Sequence, residues 1–247
     1  MSGAYYNEFD PFAAAWLRNL IKAGHIADGD VDERSIADVD PIDLLGYTQC
    51  HFFAGIGGWS YALRLAGWPD GRAVWTGSCP CQPFSNIGKR RGFNDERHLW
   101  PAWRRLIREH RPVVVLGEQV KSALGWLDLV SDDLEGLGYA LGAACIPAAG
   151  VGAEHVRDRL WFVADADETG WQDAERIAAT EAGAEVREAT GVASGARYQH
   201  FRGTAKPDPS WIVDGLSGEG FAVGAYGNAI VPQVAAEFIG AYLDARP

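Results

Sequence analysis

The feature that most constrains the fold is a repeated alternation of short apolar runs with longer amphipathic ones. AYYNE, GDV (29–31), YTQCHFFA (47–54), RAVWTGS (72–78), PVVVLGE (112–118), LGAACIP (141–147) and RLWFVADA (159–166) read as strands. Between them, FAAAWLRNLIKA, WSYALRLAG, HLWPAWRRLIREHR and WLDLVSDDLEGLG carry helical apolar spacing. Asp10 can cap the first helix, Pro11 suits its first turn and Gly24 can end it. Strands alternating with helices predict an α/β fold, a mostly parallel sheet with helices on both faces. Ligands of such sheets bind at the carboxyl ends of the strands, and GIGG, PCQPFS and GEQV all fall there.

The chain has 247 residues and is 47% hydrophobic, enough for one good-sized core with a small attachment. No apolar run approaches the ~18 residues of a membrane span, so no membrane association is expected. The acidic opening MSGAYYNEFDPF lacks an apolar signal core, which predicts a cytoplasmic protein with reduced thiols. Residues 167–220 are polar and weakly patterned, and read as a small irregular insert. YGNAIVPQVAAEFIGAYLDA then returns to a helix able to pack back on the sheet.

A net charge of −11 argues against an electrostatic grip on nucleic acid by the whole surface. Residues 86–111 run against that trend, with eight bases and three acids, a local +5. That segment is either a solvated helix face or a phosphate contact.

GSCPCQPFS (77–85) holds two of the four cysteines in a proline-stiffened turn. Cys79 and Cys81 could form a disulfide or metal clip, pack as apolar thiols, or include a nucleophile. Cys-x-Cys without a second ligand pair suits zinc poorly, so no metal is expected. A nucleophile would need a positively biased loop and an acid from another strand end. Glu118, at the tip of PVVVLGE, is such an acid, and a buried carboxyl is costly without a partner or a task. In HVRDR (155–159), Arg157 and Arg159 share one side of a strand.

Together these segments resemble the DNA (cytosine-5)-methyltransferase family, in the form of a small phage- or prophage-like member. FFAGIGGW (52–59) resembles its first motif, which implies that Phe53, Ala54, Gly55, Ile56, Gly57, Gly58 and Trp59 hold S-adenosylmethionine. PCQPFS (80–85) is similar to its catalytic loop, with Cys81 at the nucleophile and Gln82 and Ser85 toward DNA. GEQV resembles its Glu-Asn-Val motif, with Glu118 at the glutamate. HVRDR resembles its Gln-x-Arg-x-Arg motif, with Arg157 and Arg159 at the arginines. YGNAIVPQVAAEF (226–238) resembles its last motif, with Asn228 toward the cofactor. The resemblance implies a Rossmann-like sheet, duplex DNA as partner, a flipped-out cytosine, and Lys89, Arg90 and Arg91 on the DNA backbone.

The chain departs from the family in order. Only 23 positions separate Gly58 from Cys81, where the family places two further motifs. NEFDPFAAAWLRNLI and GDV resemble those two, which predicts a permuted order with Glu8 on the cofactor ribose, Asp30 on the adenine, and Phe12 among the flanking aromatics. The handedness rule for parallel crossovers then restricts where the helix after GIGG can lie. Gln119, His155 and His51 stand where the family usually has asparagine, glutamine and aspartate. The expected division is a catalytic and cofactor-binding domain over 1–166, with 1–46 carrying the displaced motifs. A short target-recognition-like insert follows over 167–220, and a C-terminal helix over 221–247. So short an insert points to loosely read DNA or a protein partner that supplies specificity. The alternatives are a cytosine-modifying enzyme with another donor, or a non-catalytic homologue that binds DNA or a partner.

Overall fold

The computed structural model describes residues 3–80, 99–151, 157–166, 197–198 and 229–246. In chain order these form β1 (Gly3–Asn7), α1 (Pro11–Lys22), β2 (Gly29–Asp32), β3 (Tyr47–Phe52), α2 (Gly58–Leu65) and β4 (Val74–Gly77). There follow α3 (Trp100–His110), β5 (Val114–Val120), α4 (Leu124–Glu135), β6 (Ala140–Pro147), β7 (Asp158–Asp165), β8 (Arg197–Tyr198) and α5 (Pro232–Ala245). The strands make one sheet in the order β2-β1-β3-β4-β5-β7-β6-β8. β2, β1, β3, β4 and β5 are parallel, and β7 runs antiparallel to β5 and β6.

Local chemistry sets the elements as the sequence predicts. Asp10 accepts from the backbone N–H groups of Phe12 and Ala13, each at 2.9 Å, and Pro11 opens α1. The acidic stretch after β2 contains two short 3₁₀ turns, Ile36–Asp38 and Pro41–Leu44, capped by Ser35 and Asp40. Their buried Ile36, Val39 and Leu44 belong to the core under α3 and α4, with Trp75, Trp100, Trp103, Trp126 and Phe162. The opposite face packs α2 and α5 through Trp59, Leu63, Val234 and Phe238 on Val74, Leu116 and Trp161. α1 covers Ala4 and Tyr6 on that same face. Tyr242 donates to buried Asp165 at 2.6 Å, and Arg246 pairs with the same carboxylate at 3.1 Å, so α5 is tied to β7.

β5 is buried along nearly its whole length, and Gly117 is the position where it can bear no side chain. A Cβ there would lie 2.0 Å from the fully buried Phe162 ring. Gly117→Ala is therefore expected to cost about 3 kcal/mol, the upper range for overpacking, read as a lowered denaturant midpoint with unchanged slope.

Chain order has a consequence for handedness. β1–α1–β2 steps one way along the sheet and β3–α2–β4 steps the other way. Yet α1 and α2 lie on one face: the Tyr6 hydroxyl meets Ser60 Oγ of α2 at 3.0 Å, and Gly57 abuts Leu17 and Leu20 of α1. The two crossovers therefore have opposite hands. β4–α3–β5 steps the same way as β3–α2–β4 but on the opposite face, so it shares the hand of β1–α1–β2. Because parallel crossovers are almost always right-handed, β3–α2–β4 is the left-handed exception. The chain order thus keeps one continuous sheet and reverses one connection.

The arginines of α3 correct one expectation. Arg105 donates to the Val39 carbonyl at 2.7 Å, and Arg104 pairs with Asp133 at 3.0 Å. Arg111 donates to the Leu137 carbonyl and lies over the Tyr139 ring. Arg108 pairs with its neighbour Glu109 at 3.3 Å. Arg104, Arg105 and Arg111 thus fasten α3 to the fold, and Arg108 pairs within the helix.

Candidate active site

The carboxyl ends of β1, β2, β3, β4 and β5 share one rim, and the amino end of antiparallel β7 joins them there. On this rim β3 passes into a turn in which Phe53, Gly55 and Gly57 take positive φ, at 52°, 56° and 83°. Gly57 is the N-cap of α2 and has no side chain to claim the first-turn N–H groups, which leaves a positive helix terminus facing the rim. The amide of Ala54 donates to the Asn7 carbonyl at 3.0 Å and the amide of Gly57 to the Ala54 carbonyl at 3.0 Å, so the turn is fixed to the end of β1. The Phe53 ring meets Trp103 edge-on at 6.2 Å.

Glu8 follows β1 directly and reaches this turn. Its carboxylate accepts from the Gly55 amide at 2.6 Å and from the Asp10 amide at 2.9 Å. Burial holds its pKa above the ordinary glutamate value against those two hydrogen bonds. Two acceptors engaged once each leave further lone pairs for an incoming donor such as a hydroxyl. Phe9, the next residue, is 72% exposed, and Phe12 one turn later is half exposed. Phe9 escaped the sequence reading, although an aromatic directly after the rim acid was a usable signal.

Two candidate cofactor residues lie elsewhere than expected. Asp30 is in the body of edge strand β2, in register with Tyr5, and accepts from the Tyr47 hydroxyl at 2.7 Å. By register Asp30 lies two residues, about 7 Å at ~3.3 Å per residue, short of the Asn7–Asp32 pair that ends β1 and β2. Its carboxyl is engaged by Tyr47 there. The tip of β2 is Asp32, which is engaged by Arg34 at 2.6 Å and the Tyr5 hydroxyl at 2.6 Å. Trp59 is buried, not flanking an open pocket. Its ring packs edge-on against Trp161 at 5.5 Å, and its indole N–H donates to Ser78 Oγ at 3.0 Å.

Ser78 leads to the second half of the site. Its hydroxyl also lies beside the carboxyl of Glu118 and helps lower its pKa, so Trp59, Ser78 and Glu118 run in line from α2 to β5. Ser78 was not singled out in the sequence, although it opens the cysteine turn. Glu118 is only 7% exposed. Arg159 Nε stands 2.8 Å from its Oε1. Burial pushes the Glu118 pKa up to about 7, against the lowering pull of Arg159, Arg157 and the Ser78 hydroxyl. A carboxyl so placed keeps a proton near neutral pH, while the arginines limit how strongly it holds it. Gln119 donates to the Cys79 carbonyl at 3.4 Å, fastening the end of β4 to β5. Cys79 is packed in the core, and burial raises its thiol pKa well above the usual range. His51 sits mid-sheet, stacked on Tyr6 with Nδ1 2.8 Å from Thr76 Oγ1, and burial lowers its pKa to about 3, keeping it neutral.

A third segment closes against both halves. Arg157 Nη2 donates to the Ala229 carbonyl at 2.7 Å. A Cβ on Gly58 would lie 2.7 Å from Ile230 Cγ1. Cys81, Gln82, Ser85, Lys89, Arg90, Arg91 and Asn228 lie outside the described residues, as does His155. So does most of the expected insert, 167–220. Among the described residues no group of His, Cys, Asp and Glu is arranged to hold a metal ion. No helix among them is long and apolar enough to cross a membrane.

Residues 69–190, which include Glu118, Arg157 and Arg159, match the family model for C-5 cytosine-specific DNA methylase. Residues 69–190 belong to the C-5 cytosine-specific DNA methylase family. The Type II methyltransferase M.NgoMIV of Neisseria gonorrhoeae is 34% identical over 100 residues, 38% of this chain and 32% of that protein. M.AluI of Cellulosimicrobium cellulans is 33% identical over 143 residues, 52% of this chain and 27% of that one. The matched region thus spans about a third of the length of these curated relatives. S. pombe Dnmt2 methyltransferase superposes with a TM-score of 0.53 at 12% identity, over 98% of both chains. That likeness shows the α/β methyltransferase fold.

Proposed function

We propose that the chain transfers a methyl group from S-adenosylmethionine to carbon 5 of a cytosine in duplex DNA. The observation that carries this reading is Glu118: a buried carboxyl that keeps its proton near neutral pH, paired with Arg159 and sharing a rim with the glycine turn. The family and its Type II relatives support the same chemistry.

The donor pocket has the parts an adenosyl group requires. Glu8 accepts the ribose hydroxyls, and Phe9 and Phe53 offer aromatic faces for the adenine. The turn Ala54–Gly58 lets the ligand approach the backbone, and Asn228 closes from the C-terminal segment. S-adenosylmethionine supplies an electrophilic methyl group there when bound.

The chain's own residues prepare the base. A cytosine flips out of the duplex, since its ring is unreachable inside the stack. The Cys81 thiolate adds to carbon 6, Glu118 gives its proton to ring nitrogen 3, and the electron pair moves to carbon 5 as an enamine. Arg159 holds the base carbonyl and steadies charge as it develops. After carbon 5 gains its methyl group, water takes the carbon-5 proton, the electron pair of that bond forms the carbon 5–carbon 6 double bond as the carbon–sulfur bond breaks and Cys81 departs as thiolate, and the proton on nitrogen 3 returns to Glu118. Gln82, Ser85 and Lys89–Arg91 contact the DNA around the opened site. Residues 1–166 and 221–247 form the catalytic domain. Residues 167–220 read the target, with a protein partner supplying specificity where so short a segment cannot. The role is restriction-modification in a cytoplasmic setting.

The engagement of Asp30 by Tyr47, short of the tip of β2, favours, as the second reading, a cytosine-modifying enzyme with another donor. One test covers both. Incubation with duplex DNA and methyl-labelled S-adenosylmethionine is expected to place label on cytosine carbon 5. A covalent complex with 5-fluorocytosine DNA but no transferred label would replace the first reading with the second, and neither product would overturn both.

A further inference from the structure

Arg157 and Arg159 look equivalent in sequence, two residues apart and both beside Glu118, but they reach different places. Arg159 ends on the Glu118 carboxyl. Arg157 spans to Ala229, which is 72 positions away in the chain. Ala229 leads directly into Ile230, and Ile230 is buried against the α-carbon of Gly58, the first residue of α2 after the glycine turn. The contact leaves no room for a Cβ, so any outward shift of 229–231 opens a gap at Gly58. The same segment leads into α5, whose Phe238 packs on Trp161 at a centroid distance of 6.2 Å. Trp161 meets Trp59, and Trp59 bonds to Ser78 beside Glu118. A closed circuit therefore runs from the base side of the rim to the donor side and back.

We infer that Arg157 is a positioning residue: by holding the Ala229 carbonyl it locks the 229–231 segment onto Gly58 and so sets the donor turn in place while Arg159 serves the base. The inference rests on the reading of this rim as a donor and cytosine site, but the clamp itself has a readout that needs neither ligand. A charged donor to a carbonyl is among the stronger hydrogen bonds, and a segment opens locally when such a tie is lost.

The test is hydrogen exchange on the full chain, with and without S-adenosylhomocysteine. Arg157→Met keeps the apolar stem and removes the donors. It is expected to speed amide exchange over 230–236 and over 57–61 by about tenfold, and to weaken S-adenosylhomocysteine binding by about tenfold, as expected for one lost hydrogen bond to a charged group. Arg157→Lys, which can still donate to the carbonyl, should restore exchange to within about threefold of the unaltered protein. Ile230→Ala, which empties the contact at Gly58, should reproduce the change over 57–61. Arg159→Ala should lose the covalent complex with 5-fluorocytosine DNA while leaving exchange at both segments unchanged. Unchanged exchange in Arg157→Met at both segments, with loss confined to the covalent complex, would overturn the clamp and return Arg157 to the base. If the unaltered protein binds no S-adenosylhomocysteine, the donor-site reading fails, and the exchange result still decides the clamp.

Discussion

Glu118→Gln is expected to lower methyl transfer by about a thousandfold, within the range of general acid catalysis, while leaving the fold in place. Glutamine keeps the shape of the side chain and its acceptor for Arg159, but it has no acidic proton to give to a ring nitrogen. The loss should therefore fall on kcat more than on DNA affinity. The pH profile separates this role from simple packing. Burial pushes the Glu118 pKa up to about 7, so the proton-bearing form dominates below that value and disappears above it. The rate limb due to this group should fall by about tenfold per pH unit above that pKa, and Glu118→Gln should lack that limb. Stability runs with the same sign. The folded state holds this proton more tightly than the unfolded chain does, so its contribution is full below the ordinary glutamate pKa and is lost as pH rises through about 7. Glu118→Gln should thus lose less stability than the parent between pH 5 and 8, read from denaturant midpoints. A variant that methylates within threefold of the parent would remove Glu118 from the chemistry.

The strand-and-helix order was readable because it rests on short-range pattern. PVVVLGE is continuously apolar since β5 is covered on both faces, and Asp10-Pro11 marks the start of α1 by capping alone. Glu118 was placed near the carboxyl end of its strand for the same reason, although β5 continues through Gln119 and Val120. What was not readable depends on register and on neighbours distant in sequence. GDV gives a strand, but which of Asp30 and Asp32 reaches the rim is set by pairing with β1, where Asp30 falls opposite Tyr5. Trp59 begins a helix and could face the rim or the core. Ser78 from β4 and Trp161 from β7 decide it. The charges of α3 could be counted but not assigned, since their partners Val39, Asp133 and Leu137 lie in other elements. The left-handed β3–α2–β4 crossover follows from chain order and face together, and neither is local.

Cys81→Ala is expected to abolish both methyl transfer and the covalent complex with 5-fluorocytosine DNA, whereas Cys79→Ala should retain both within about threefold. The two thiols are separated by Pro80 alone, so chemistry and not distance must tell them apart. A nucleophilic thiolate needs a lowered pKa, from exposure to positive charge or a helix terminus. Cys79 has the opposite environment: it is 6% exposed among Trp75, Trp100 and Trp103, and burial drives its thiol upward. Its carbonyl is engaged by Gln119, which anchors the start of the turn to β5 beside Glu118. Cys79→Ala should accordingly cost stability, about 1 kcal/mol for the loss of a small buried group, with little change in rate. Anchoring Cys79 fixes where the chain leaves the sheet, and the family resemblance assigns the nucleophile to the next thiol, Cys81. Mass spectrometry of the trapped complex gives the decisive reading. An adduct on the tryptic peptide of Cys79→Ala that maps to Cys81 fits this assignment, and an adduct that survives in Cys81→Ala would sink it.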